Sequence, residues 1–211
     1  MSEIRGIAPG VRVVDAPQRF FGIEVGTRMT LLELDGGLLA HSPIPYRADI
    51  EPRWVLAPNL FHHLYAGEWP CEKWGAPGLP EKRRDVEFAG VVDESHPFGD
   101  EIWVHRLRSF KPSNEVVLLH RPSRTLIVSD LCFNLGPDAP ALTKTVMWLA
   151  MGYPGPRTTV LERGLMKRDL ARIDLATILE QDFDRVVMAH GHVIESGGKD
   201  ALRAAFHWLG I

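Results

Sequence analysis

Apolar and polar positions divide the chain into two regimes. The first third carries short β-type segments at Phe20–Val25, Met29–Leu34 and Leu38–His41. The last two flank Asp35-Gly36-Gly37, a hairpin signal because glycine takes the positive φ a tight turn needs. An antiparallel start is predicted. Beyond it the apolar runs become short and nearly continuous, at Trp54–Ala57, Val116–Leu119, Thr125–Ser129 and Arg185–Ala189. Such runs suit strands buried on both faces. Helices are predicted at Leu142–Met151, Lys167–Gln181 and Lys199–Leu209, where Leu202, Ala205, Phe206 and Leu209 form an i, i+3, i+4, i+7 stripe. Strands followed by mixed strands and helices predict a layered α/β (α+β) architecture. Proline and glycine cluster at 70–80, 97–99, 136–140 and 152–156, which places loops there and leaves 1–211 as one domain.

Composition narrows the function classes. With 45% hydrophobic and 24% charged residues over 211 positions the chain can bury a real core, and a formal charge of −3 without basic runs gives no footing for nucleic acid. Lys82, Arg83 and Arg84 are followed at once by Asp85 and Glu87. Cys71 and Cys132 read as reduced thiols, the N-terminal ten residues lack an apolar leader core, and no run is long enough to span a bilayer. A cytoplasmic protein without a membrane segment is expected, with a small molecule as its partner.

Candidate chemistry gathers where buried strands end. After Trp54–Ala57 come Pro58, Asn59, Leu60, Phe61, His62 and His63. If Leu60 opens a helical turn, Leu60, Phe61, Leu64 and Tyr65 share the inward arc, and His62 and His63 face a cleft above the strand end. A second strand ends in Asp130, whose burial requires a metal, a cation or N–H donors; capping the next segment is the plainer use. A third ends in His190, with Gly191 permitting close backbone approach. Imidazoles and a carboxylate at three strand ends suit Zn²⁺, Fe or Mn²⁺. HExxH, paired CxxC, GxxxxGK and GxSxG are absent from the sequence, which removes the zincin, zinc-ribbon, P-loop and α/β-hydrolase readings.

The order of these segments, with L-I-V-S-D before V-V-M-A-H-G, resembles the metallo-β-lactamase superfamily. It is most similar to an uncharacterised branch carrying Arg28-Met29-Thr30, His41-Ser42-Pro43, Pro58-Asn59 with His62-His63-Leu64, Gly67-Glu68-Trp69 and Ala189-His190-Gly191. The resemblance spans roughly Phe20 to Leu209 and implies a four-layer αβ/βα sandwich with its site where two sheets meet. Registering the superfamily's H-x-H-x-D-H motif on His63 puts Pro58 and Leu60 where its first two histidines stand, and His62 where its aspartate stands. A second register, on Lys111-Pro112, puts Phe110 at the middle histidine.

One metal position is thereby implied to be lost. His62, His63, Asp130 and His190 are implied as the remaining ligands of a single divalent ion, zinc before iron or manganese. The resemblance implies a metal-dependent hydrolase of unknown substrate, with His63, His190 and Asp130 holding the ion and His62 a fourth ligand or proton acceptor. His62 and Asp130 are then the catalytic pair. A mononuclear iron oxygenase and a non-catalytic binding member are the alternatives.

Other residues carry plainer expectations. Asn59 is read as the N-cap of the His62 segment, or as a neutral ligand or a group that orients substrate, and His192 as an exposed loop residue in preference to a substitute ligand or a partner to one. His41, His105 and His120 are read as satisfied sheet residues. Arg28, Glu68 and Trp69 match the branch without a legible role. The run Val146–Met151 is apolar all round and predicts a buried helix, with a homodimer contact or an apolar lid as alternatives.

Overall fold

The structure is a computed structural model and describes residues 3–210; residues 1, 2 and 211, which the one-domain reading includes, lie outside the described residues. Strands β1 (Ile4–Ala8), β2 (Val11–Ala16), a small hairpin β3 (Arg19–Phe20) and β4 (Ile23–Glu24), β5 (Thr27–Leu34), β6 (Gly37–His41) and β7 (Trp54–Ala57) come first. They are followed by β8 (Glu72–Gly75), α1 (Leu79–Lys82), β9 (Gly90–Val91), β10 (Ile102–Arg106), β11 (Val116–His120), β12 (Thr125–Ile127) and β13 (Phe133–Leu135). The remainder is α2 (Ala141–Leu149), β14 (Gly155–Arg157), α3 (Val160–Leu165), α4 (Arg168–Glu180), β15 (Arg185–Val187) and α5 (Gly198–Ala205).

Two sheets organise these elements. The first has the order β1-β2-β5-β6-β7-β8-β9 and the second β10-β11-β12-β15. The predicted hairpin is present, β5 pairing with β6 through Leu34 and Gly37. The antiparallel start includes β1 and β2, which the apolar pattern did not reveal. From β6 to β9 the pairing is parallel, and the crossovers return Ile44, Ile50, Ala66 and Trp69 to the core.

Alternation along β11 shows how the layers stack. Val116 and Leu118 join the core shared with the first sheet, whereas Val117 and Leu119 join a second core with Leu175 and Ile178 of α4 and Leu202 and Ala205 of α5. The second sheet is therefore packed against strands on one face and helices on the other, which is why its strands read as continuous apolar runs. The α/β fold class agrees with the sequence pattern. No helix among the described residues is long and apolar enough to cross a membrane.

The run at Val146–Met151 departs from the buried helix predicted for it. In α2 only Thr143 and Met147 are buried, while Val146, Trp148 and Leu149 are exposed. The helix packs against the β3–β4 hairpin, held by Thr143 Oγ1 donating to the Glu24 carbonyl at 2.8 Å. Of this run Val146, Met147 and Ala150 line a cleft.

Candidate metal centre

Three of the expected ligands meet where the two sheets abut. His62 follows β7 of the first sheet, and Asp130 and His190 follow β12 and β15 of the second. Their donor atoms form a nearly equilateral triangle. His62 Nε2 lies 3.2 Å from His190 Nε2 and 3.3 Å from Asp130 Oδ1, and His190 Nε2 lies 3.3 Å from the same oxygen. Atoms bound at about 2.1 Å to one tetrahedral ion stand roughly 3.4 Å apart, so the triangle has the size that one small divalent cation requires.

The outer atoms of each ligand are engaged as well. His190 Nδ1 donates to the Gly26 carbonyl at 2.7 Å, which orients the ring with Nε2 facing the triangle. His62 Nδ1 is paired with Ser42 Oγ at 2.8 Å. Asp130 Oδ2 accepts from Asn59 Nδ2 at 2.7 Å, so Oδ1 remains for the triangle. Burial alone would raise the Asp130 carboxyl, but His62 and His190 outweigh it and hold it well below the usual carboxylate range. The donor set is thus anionic, imidazole-rich and oriented, which fits a divalent ion.

His63 is not brought to this triangle, contrary to the expectation that it would join Asp130 and His190. Asn59 Oδ1 accepts from the Phe61 and His62 amides at 2.8 and 2.7 Å, and His63 N bonds back to the Phe61 carbonyl at 3.0 Å. This capping produces a succession of tight turns in place of a helix, so a 100° step does not apply. The arc assignment fails with it: His63 is 5% exposed, whereas Phe61 and Leu64 are 44% and 53% exposed. Arg83 Nη1 donates to His63 Nδ1 at 3.0 Å, placing the proton of the neutral ring on Nε2. Burial, then the Lys82 and Arg83 charges, push His63 down to about 4 and keep it neutral.

Glu115 was missed, although a carboxylate immediately before V-V-L-L was a usable signal. It is fully buried, and its oxygens accept from the Ser129 and Asp130 amides at 2.6 and 2.9 Å. Burial, then the charge of Asp130, raise it to about 8. Arg28 also acquires a role. From β5 it donates to Asp15 at 2.7 Å and to the Met188 carbonyl at 3.0 Å, tying the first sheet to the backbone two residues before His190.

The remaining sequence candidates lie outside the triangle. Asn59 caps the turn, as its N-cap reading expects, and its side-chain amide is engaged with Asp130. Trp69 donates to the Ile44 carbonyl and Glu68 accepts from the Tyr46 amide, so both brace a crossover. His192 pairs with Asp138 at 2.7 Å on the surface, and His105 with Asp174 at 3.1 Å. His120 pairs through Nδ1 with Ser123 Oγ at 2.7 Å, yet its Nε2 and that of His41 are buried without a hydrogen-bond partner, short of the full satisfaction expected. Burial, then the nearby His62, lower His41 to about 3.

A cleft of about 540 Å³ opens beside the triangle, and Leu60 and Phe110 line it together with His62, Asp130 and His190. Pro58 is buried, and its carbonyl accepts from the Val116 amide at 2.8 Å. Gly191 has a φ of +88°, and a Cβ there would lie 2.1 Å from the Asn134 carbonyl oxygen. Only glycine lets β13 approach the turn that presents His190.

No protein-family model and no curated protein matches the chain. Solved structures do. The DIM-1 metallo-β-lactamase exposed to ceftazidime superposes with a TM-score of 0.67 at 13% identity, covering 98% of this chain and 97% of that one. The mono-zinc form of the metallo-β-lactamase FIM-1 from Pseudomonas aeruginosa gives 0.66 at 8% identity, with 99% and 95% covered. A metal-soaked Flv1 flavodiiron core from Synechocystis sp. PCC6803 gives 0.64 at 11% identity, with 99% and 61% covered. Near-complete coverage of both β-lactamase chains, together with the two-sheet order, shows that this chain has the metallo-β-lactamase fold.

Proposed function

We propose that this chain is a metal-dependent hydrolase of the metallo-β-lactamase fold that retains one metal position, held by His62, Asp130 and His190. The observation that carries this reading is the donor triangle with edges of 3.2 and 3.3 Å, whose outer atoms are fixed by Ser42, Asn59 and the Gly26 carbonyl. A divalent ion there would acidify a water molecule and polarise the scissile carbonyl or phosphoryl group. The protein's part is to keep both Nε2 atoms and one carboxylate oxygen aimed at one point and to exclude bulk water with the walls of the cleft. Leu60 and Phe110 in those walls, with Pro58 in the core, support the loss of the other position. Zinc suits the donor set, and one of the similar β-lactamases is a mono-zinc form.

The test is metal analysis of the purified protein, followed by a hydrolysis screen on esters, thioesters, lactams and phosphodiesters with Zn²⁺, Mn²⁺ or Fe²⁺. About one equivalent of metal, and turnover that disappears in a folded His190→Ala variant, is the expected result. No metal uptake and no turnover on any class would leave a non-catalytic binding protein as the better reading.

A second reading draws on the composition of the triangle. Two imidazoles and one carboxylate with open positions also suit non-haem iron(II) and oxygen. Iron in place of zinc in the metal analysis, with substrate-dependent oxygen consumption, would favour it.

A further inference from the structure

The cleft beside the triangle is walled by elements that the two sheets do not need. Phe20, Phe21 and Ile23 come from the β3–β4 hairpin, Val146 and Met147 from α2, and Val160, Leu161 and Leu165 from α3. Phe21 is 91% exposed, and Leu161, Val160 and Leu165 are each about half exposed. Scattered exposed apolar side chains need no explanation, but these converge on a single cleft, which marks a binding surface. The Glu162 carboxylate within α3 is drawn back into a capping box with the Thr159 amide and hydroxyl. Lys82, also on the wall, has its Nζ directed to the Leu60 carbonyl.

A polar ligand against the apolar walls of this cleft would lose water and recover few hydrogen bonds, at a cost of several kcal/mol per unpaired group. An aliphatic chain loses nothing comparable and gains from every methylene buried. The volume of about 540 Å³ lies within the usual range for a small-molecule site and exceeds what the reacting group alone needs. Among the described residues the polar side chains on the lining are those of the triangle and His63, with Gln18, Thr27, Tyr65, Lys82, Thr159 and Glu162 set among apolar neighbours.

We propose that the cleft seats the aliphatic chain of an acyl substrate, an ester or thioester of a medium or long straight-chain acid, with its carbonyl directed at His62, Asp130 and His190. The proposal rests on the hydrolase reading for the carbonyl end, while the chain-binding half stands on the cleft alone. The hairpin, α2 and α3 are then the elements that set chain length. Their apolar mouth lets a chain enter from solvent or from a micelle.

The experiment measures binding without turnover. Straight-chain methyl ketones of increasing length compete with a fluorescent fatty acid for the purified protein, with and without added Zn²⁺. Affinity is expected to rise about four-fold per methylene until the cleft is filled. Leu161→Asn is expected to weaken binding of the longer ketones about ten-fold or more and of the shortest very little. Ala150→Phe narrows the same cleft and is expected to end the rise at a shorter chain. Unchanged unfolding midpoints show that each variant is folded, and either variant alone suffices if the other is not.

A flat dependence on chain length would overturn the proposal. So would tighter binding of aryl ketones of equal carbon number, or a rise unaltered in a folded variant. Ketones that fail to bind a protein sedimenting as a dimer would assign the apolar walls to self-association instead. If no metal binds but the chain-length rise persists, the hydrolase reading fails and the chain site stands. A bound metal with no rise has the opposite meaning.

Discussion

His62 and His63 are chemically identical neighbours with opposite surroundings. His62 presents Nε2 to an acid and a second imidazole, whereas His63 is turned to a guanidinium. The two should therefore differ when substituted. His62→Ala and His190→Ala are each expected to reduce zinc affinity by about a hundred-fold or more, while His63→Gln keeps the stoichiometry and lowers the unfolding midpoint. Competition with a chromophoric chelator reads the first effect and calorimetry the second; loss of zinc in His63→Gln would reinstate the four-ligand site. At Gly191 the backbone itself is decisive. A methyl at φ +88°, against the Asn134 carbonyl, combines strain with a clash, so Gly191→Ala is expected to cost about 2–4 kcal/mol. Denaturant titration checks this, and a change under 0.5 kcal/mol would mean that β13 can retreat from the turn.

Among elements, the contact between α4 and the second sheet has its own electrostatic anchor. Asp174 accepts from His105 Nε2 at 3.1 Å and from the Arg108 and Ser109 amides at 3.0 and 2.9 Å. Burial alone would raise its carboxyl, but the bonds from His105 and Ser109 outweigh this and hold it below the usual carboxylate range. A folded-state value below the unfolded one adds stability above the ordinary aspartate pKa and loses it as pH falls through the acid range. Asp174→Asn is accordingly expected to destabilise the protein by about 1–3 kcal/mol at pH 7, with the gap to wild type closing as the solution is acidified. Equal destabilisation at pH 7 and pH 3 would show that the amide geometry, not the charge, is what matters. The helix expected at Lys199–Leu209 is α-helical only over Gly198–Ala205 and ends in a 3-10 turn at His207–Leu209, whereas the one expected at Lys167–Gln181 is present within one residue as α4, because its apolar stripe is long enough to specify both face and period. The hairpin β3–β4 and the short α3 are below that length.

For the whole molecule, the position of the triangle has a mechanical consequence. His62 follows a strand of the first sheet and Asp130 and His190 follow strands of the second, so an ion held by all three would join the two sheets, as Arg28 does through the Met188 carbonyl. A ligand that binds only the folded state stabilises it by about 2.7 kcal/mol at a hundred times its dissociation constant. For a chain of this size that corresponds to a rise of about 5–10 °C in the unfolding midpoint. Scanning calorimetry with saturating Zn²⁺ and with excess chelator is expected to show this difference in wild type and its loss in His190→Ala. An equal shift in both proteins would place the stabilising ion elsewhere.

The sequence by itself determined the layered architecture and three points of the site. Continuous apolar runs specify strands buried on both faces, and a polar residue ending such a run must lie at a sheet edge, which located Asp130 and His190. The adjacency of two histidines located the third contribution but not which ring supplies it. That choice depended on Asn59 capping two amides and on Arg83, twenty residues away, taking the Nδ1 of His63. The roles of Glu115 and Arg28 were likewise settled by contacts across the fold, to the Asp130 amide and the Met188 carbonyl. The apolar cleft is the same case on a larger scale: a run such as Val146–Met151 states that apolar surface exists, and only the packing of α2 against the β3–β4 hairpin decides that part of it lines the cleft rather than the core. Periodicity is a local property that one chain segment carries alone, whereas ring orientation, charge pairing and exposure are set by groups distant in sequence that folding brings within bonding distance.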